Sequence, residues 1–250
     1  MAESFKDHFS GVAAGYRAFR PSYPAALFAW LASLSARREL AVDLGCGSGQ
    51  AALGLAAHFA EVVGVDPSPE QLARAEPHPG VRYRVAPAEA TGLAAASADL
   101  AIAAQALHWF DPEPFQREVT RLLRPGAPFA AFSYALCQID PQVDAVVDRL
   151  YRELLGPWWP PERAHVDAGY RTLSFPWPEL AAPPLAIEEE WDLARFVGYL
   201  GTWSAASAFR RSTGGDPLAP VADALRAAWG PPELPRRIVW PLAVRAFRVG

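Results

Sequence analysis

Lysine is almost missing from this chain: of the 23 Lys and Arg residues among 250, only Lys6 is a lysine. A phosphate-binding loop of the G-x-x-x-x-G-K-[ST] kind needs a lysine straight after its last glycine, so that class is excluded. Cysteine is scarce too. Cys46 and Cys137 are far apart and make neither a disulfide framework nor a metal-ligand pattern, which fits a reducing compartment and no metal. The formal net charge is only -4, so there is no basic footprint for nucleic acid or for an anionic membrane surface. No uninterrupted apolar run reaches membrane-spanning length, and the stretch from Met1 to Asp7 lacks the apolar segment of a secretory signal. From these absences a soluble, cytoplasmic protein is expected, with no nucleic-acid or membrane partner, acting as a monomer or homodimer on a small molecule.

What is present is organised around Leu40 to Gly49, L-A-V-D-L-G-C-G-S-G. The apolar run is short, partly β-branched and bounded by glycine, as in a buried parallel strand that ends at a tight loop. From Gln50 to Phe59 the apolar residues recur at helical spacing. In such a strand, glycine loop and helix, glycines at 45, 47 and 49 let a ligand approach bare backbone, and the helix start offers unpaired N–H groups. The dinucleotide fingerprint G-x-G-x-x-G requires a third glycine at position 50, where Gln stands. The next apolar run, Val62 to Val65, stops at Asp66, at about the twenty-residue distance from which an acid reaches ribose hydroxyls.

Strand and helix patterns alternate through the first half. Ala25 to Leu34 reads as an apolar helix, Pro69 opens another with Ser68 as its N-cap, and Val81 to Val85 alternates as a third strand. Asp99 to Ala104 is a fourth strand, Phe115 to Leu123 an amphipathic helix, and Pro128 to Tyr134 a fifth strand. The rhythm then changes. An amphipathic helix from Val143 to Leu155 gives way to a Pro- and Trp-rich passage running to about Pro184, which cannot be sheet interior. A sixth strand is expected at Ala186 to Trp191, helices at Leu193 to Ala205 and about Leu218 to Trp229, and a last strand at Arg237 to Phe247, with Pro241 marking an edge or a bulge. The fold class is therefore α/β: a doubly wound, mostly parallel seven-stranded sheet with helices on both faces and a helical and loop cap after the fifth strand. One domain is expected over 1–250, with an N-terminal arm at 1–24, a cofactor-binding core at 25–134, a cap and substrate region at 135–235 and a terminal strand at 236–250.

The run V-D-L-G-C-G-S-G followed by G-V-D-P-S resembles the seven-stranded, class I S-adenosylmethionine-dependent methyltransferases, in particular the small-molecule group that includes trans-aconitate carboxyl methyltransferase and type-11-like relatives. The resemblance covers roughly residues 10 to 134 in detail. It implies S-adenosylmethionine as methyl donor and S-adenosylhomocysteine as product. Asp43, Gly45, Cys46, Gly47 and Gly49 would hold its methionine and ribose part, Asp66 the two ribose hydroxyls, Pro67 the adenine face, and Ala88 with Glu89 the adenine amine. Gln105 and Ala106, at the end of the fourth strand, would meet the methionine or the methyl group through backbone. The run Y-x-x-x-R-P-x-Y-P is matched by Tyr16, Arg20, Pro21, Tyr23 and Pro24, and in relatives such an arm covers the cofactor; an arm merely packed on the domain is the alternative.

Substrate contact is expected at His108-Trp109-Phe110. His108 is the candidate base, though a capping or core histidine fits equally. A carboxylate acceptor needs no base, and placement by arginine then matters more. Tyr23, Trp109, Trp158, Arg163 and Trp203 are the candidate acceptor-binding residues, with Arg20, His165 and Arg211 as further anchors and Trp159 and Tyr170 as further walls. No N-P-P-Y run follows the fourth strand, which disfavours a base-flipping enzyme. The expected function is methyl transfer from S-adenosylmethionine to a small acceptor, a carboxylate or an aromatic compound. The alternatives are a non-catalytic S-adenosylmethionine-binding protein and an NAD-dependent oxidoreductase.

Overall fold

In the computed structural model, which describes residues 19–250, the apolar run Leu40–Leu44 forms β1 and lies parallel to both its neighbours, Glu61–Asp66 (β2) and Leu100–Ala104 (β4). Val81–Val85 (β3) extends the sheet beyond β2, and Pro128–Tyr134 (β5) extends it beyond β4, both in parallel. Arg236–Arg248 (β8) pairs antiparallel with β5, and carries Glu179–Leu180 (β6) and Ala186–Trp191 (β7) on its other side. The order is β3-β2-β1-β4-β5-β8-β6, with β7 paired to β8.

Alternation along each strand sends side chains to two separate cores, which makes the sheet doubly wound. Val42, Leu44, Ala101, Ala103, Phe129 and Ala131 pack with Phe115, Val119 and Leu122 of the helix Pro112–Leu122. Ala41, Leu100, Ile102, Ala130 and Phe132 pack on the opposite face with the helices Ala25–Ser33 and Gln50–Leu55. A third core, rich in aromatics, joins the end of β5 to the helices of the second half, from Tyr134 and Tyr151 to Tyr199, Trp203, Trp229 and Trp240.

Where seven strands are expected, eight appear: the expected sixth, Ala186 to Trp191, forms whole as β7, and the two-residue β6 is added before it. β6 and β7 both run antiparallel to β8, and Pro183-Pro184 stand between them without N–H groups to give the ladder. Pro241 pairs with Ala186, the first residue of β7, and β5 pairing begins at the next residue, Leu242.

The second-half helices are also more broken than periodicity indicates. Pro141–Arg149 is followed by a π turn, Leu150–Leu154, and the expected helix from Leu193 to Ala205 is two, Leu193–Gly201 and Ser204–Thr213. Thr202 accounts for that break: its hydroxyl donates to the Tyr199 carbonyl at 2.6 Å, and Trp203 is extended. The Pro- and Trp-rich passage contains a 3₁₀ turn at Gly156–Trp158 and the short helix Arg163–Asp167. Among the described residues no helix is long and apolar enough to cross a membrane.

Candidate active site

The carboxyl ends of β1, β2, β4 and β5 converge where open α/β sheets bind ligands. β1 turns at Gly45, whose N–H, with that of Cys46, donates to the Val65 carbonyl at 2.8 and 3.0 Å, so the loop is stitched to β2. All three glycines have positive φ, +71, +54 and +80°. Their reasons differ. A Cβ at Gly45 would meet Ala106 at 2.7 Å and Phe110 at 2.9 Å, and one at Gly49 would run into the Tyr83 ring. At Gly47 it would meet nothing within 4 Å among the described residues. Gly45 and Gly49 are therefore glycines for packing, and Gly47 is the one whose bare face is open to a ligand.

Asp66 faces that loop. Its Oδ2 accepts the Gly47 N–H at 2.8 Å and its Oδ1 the Ser68 N–H at 2.9 Å. The acid thus ties the glycine loop to the turn that follows β2. Asp43, beneath the loop, is fully buried, and neither of its oxygens has a well-formed hydrogen bond. Burial, then the charge of Asp66, pushes its carboxyl up to about 7, against a smaller opposite pull from the Ala52 N–H. The Cys46 thiol, buried beside both acids, is driven upward and stays protonated. Pro67 is half-buried directly after Asp66, and Ala88 is buried. Glu89 accepts the Asp111 N–H at 3.0 Å and so steadies the lead into the following helix.

Gln105 ends β4 with φ +53°, a strained value for a residue other than glycine. It is held there from both ends, its N–H donating to the Phe132 carbonyl at 2.9 Å and its side-chain amide to the Tyr134 carbonyl at 2.9 Å. Ala106 then packs under Gly45, and the 3₁₀ turn Leu107–Trp109 presents His108. The His108 ring lies 4.6 Å from Trp109, and its Nδ1 is 3.1 Å from the Tyr170 hydroxyl. Burial first, then Arg163 and His165, lower its pKa to about 3, so the imidazole is neutral at physiological pH.

From the arm, Tyr16 lies outside the described residues. Arg20 donates to the Tyr134 hydroxyl and the Thr202 carbonyl, both at 3.3 Å, and stands over the Tyr199 ring at 5.8 Å. Gln50 ties the arm to the loop helix by donating to the Pro21 carbonyl at 3.0 Å. Tyr23 sits edge-on to Phe132 at 5.0 Å, and its hydroxyl is raised by burial and by the nearby Tyr134, Tyr170 and Asp43. Arg20 and Tyr23 are thus brought to the same end of the sheet as the loop.

The cap contributes an arginine clamped beside two packed aromatic rings, Tyr151 and Trp159, whose centres are 4.7 Å apart. The Arg163 guanidinium lies 4.9 Å over Trp159 and 5.4 Å from the Tyr151 ring centre, and its Nε donates to the Tyr151 hydroxyl at 2.7 Å and to Asp167 at 3.2 Å. Among the described residues its two terminal nitrogens have no partner. Trp203 closes the back of the clamp, 5.6 Å from Tyr151 and 5.7 Å from Trp159. Trp158 turns instead to Phe209 at 5.4 Å, so Trp159 is the tryptophan that meets Arg163. Arg211 is exposed and outside this cluster, and His165 pairs with Thr172 at 2.6 Å. Tyr151, Tyr134 and Tyr83 were not singled out by the sequence. Each reads locally as one more apolar position in a helix or strand, and only tertiary packing reveals its place.

Residues 42–131 match the methyltransferase domain family. A protein of Dictyostelium discoideum named as a methyltransferase is 34% identical over 229 residues, spanning 90% of this chain and 87% of its own. A Saccharomyces cerevisiae protein named as an S-adenosylmethionine-dependent methyltransferase is 34% identical over 130 residues, 48% of this chain and 45% of its own. A solved structure described as a type II methyltransferase, from Anaeromyxobacter dehalogenans, is 61% identical and superposes with a TM-score of 0.87 over 92% of this chain and 98% of its own. With a glycine loop latched to an acid at the end of the next strand, and relatives that match it over nine-tenths of its length, this chain belongs to the class I S-adenosylmethionine-dependent methyltransferases.

Proposed function

We propose that the protein binds S-adenosylmethionine at the loop between β1 and the helix Gln50–Leu55 and methylates a small acceptor that carries a carboxylate on an apolar or aromatic body. The donor fits this end of the sheet on two observations: the open face of Gly47 beside Asp66, and a buried Asp43 carboxyl without a well-formed partner. Asp66 would take the ribose hydroxyls and the loop backbone the methionine part, with Gln105 and Ala106 bordering it. When bound, the donor supplies a methyl carbon on a sulfonium sulfur; the sulfur–carbon bond breaks as an acceptor oxygen forms the new bond, and a neutral thioether leaves.

The acceptor class rests on one observation, the Arg163 guanidinium held against the Tyr151 and Trp159 rings with its forked end unengaged among the described residues. Arginine in that state matches a carboxylate with two parallel hydrogen bonds, while the rings accept an apolar body. A carboxylate is already a nucleophile, so the chain's task is placement and exclusion of water. Incubation with radiolabelled S-adenosylmethionine and a panel of aryl and alkenyl carboxylic acids, against matched alcohols and amines, tests this. Ester formation on the acids supports it. Turnover only on alcohols or amines overturns the acceptor class, and donor binding without any product would favour the non-catalytic alternative.

A further inference from the structure

We propose that Tyr170 is a positioning residue: its hydroxyl fixes His108 in the tautomer that carries its proton on Nε2, so that His108 offers an N–H to the acceptor and does not draw a proton from it. This deepens the reading above and rests on it for where the acceptor lies.

One buried oxygen decides where the hydrogens lie. Tyr170 is fully buried, with φ +61°, a conformation costly for a tyrosine and kept only where surroundings demand it. Among the described residues its hydroxyl makes one hydrogen bond, with His108 Nδ1 at 3.1 Å, and the buried Ser133 hydroxyl has no hydrogen-bond partner. A phenol has one hydrogen and two lone pairs. In one arrangement the phenol hydrogen goes to His108 Nδ1 and is satisfied. In the other, Nδ1 carries the imidazole proton and donates to Tyr170, and the phenol hydrogen is left without an acceptor in a fully buried place. An orphaned buried donor costs about 1–3 kcal/mol, so the first arrangement prevails.

With Nδ1 occupied, the imidazole proton is on Nε2, which makes no hydrogen bond among the described residues. The charged and titratable groups that bear on the ring from the cap are Arg163 and His165. Burial first, and then these two groups, keep it from gaining a second proton. His108 and Arg163 thus offer a neutral donor and a charged fork to one ligand, a pairing that suits an anion and gives no role to a base.

The test is the long-range proton–nitrogen spectrum of the full chain labelled in histidine nitrogen, with His108→Gln used for assignment. At neutral pH His108 is expected to be neutral, protonated on Nε2, with Nδ1 in the range of a bare hydrogen-bonded nitrogen. In Tyr170→Phe the Nδ1 resonance is expected to move and the two tautomers to mix, while affinity for S-adenosylhomocysteine stays within about twofold. An Nδ1-protonated or cationic His108 in the unaltered protein overturns the proposal, and so does a Tyr170→Phe spectrum identical to it. If Tyr170→Phe fails to fold, the tautomer of the unaltered protein still decides. Absent binding of S-adenosylhomocysteine to the unaltered protein would instead remove the methyl-donor reading and leave the His108 result standing.

Discussion

The Oδ2 of Asp66 accepts the Gly47 N–H at 2.8 Å, so the acid that ends β2 is latched to the loop glycine whose missing side chain would meet nothing within 4 Å among the described residues. The contact holds the loop in shape before any ligand arrives. Asp66→Ala is therefore expected to remove both a ligand contact and a strut, and to weaken S-adenosylmethionine binding at least tenfold, about 1.4 kcal/mol. Isothermal titration measures it; unchanged affinity would take Asp66 out of the site.

The three loop glycines are expected to fail in different ways when given a methyl group. Gly47→Ala meets nothing, so it pays only the strain of φ +54°, on the order of 1 kcal/mol, and folds while losing donor affinity. Gly49→Ala drives a methyl into the Tyr83 ring and is expected to destabilise the fold by several kcal/mol. Tyr83→Ala should restore part of that loss in the double variant. Thermal melts of the four proteins check this, and an equally stable Gly49→Ala would remove the packing account.

The contrast between Gly47 and Gly49 marks how far the sequence could be read. Three glycines at alternating positions after an apolar run announce a bare-backbone loop, and the acid about twenty residues on announces its partner, because both signals are local and periodic. Which glycine faces a ligand was hidden, since that depends on Tyr83 reaching across from β3. The same holds for the sheet: apolar runs and alternation located β1 to β5, β7 and β8, while β6, two residues long inside the Pro- and Trp-rich passage, had no local signal. In the cap no short-range pattern could tell Trp158 from Trp159. Their separation follows from the π turn at Leu150–Leu154 and the 3₁₀ turn after it, which aim adjacent rings at Phe209 and at Arg163.

Asp43 predicts an inverted pH dependence. Its carboxyl is raised from the ordinary value near 3.8 to about 7, so between those values the folded chain holds a proton that the unfolded chain has released. Stability from this group is then present at low pH and falls as pH rises through that window. Asp43→Asn, which has no charge to desolvate, is expected to flatten this part of the profile and to melt higher than the unaltered protein at pH 8 in the absence of ligand. Calorimetric melts from pH 4 to pH 8 decide it; a parent and variant with parallel profiles would mean that the acid is ionised in the fold without penalty.

Arg163 is where binding of donor and acceptor should separate. The guanidinium sits against the Tyr151 and Trp159 rings and, among the described residues, makes no hydrogen bond or ion pair with the loop, so Arg163→Gln is expected to leave donor affinity unchanged. A charge-assisted pair is worth about 1.5–3 kcal/mol, so KM for an acid acceptor should rise by roughly 10- to 150-fold. Arg163→Lys restores the charge without the planar fork or the stacking and is expected to recover only part of this. Loss of the neighbouring cation also lets the His108 pKa rise from about 3, but burial is the larger cause, so the ring stays neutral and the rate should remain flat across neutral pH in every variant. Steady-state kinetics over pH and acceptor concentration test both parts. A KM that does not move in Arg163→Gln would place the acceptor's anion elsewhere, and a neutral-pH break in kcat that disappears in His108→Gln would make His108 a base after all.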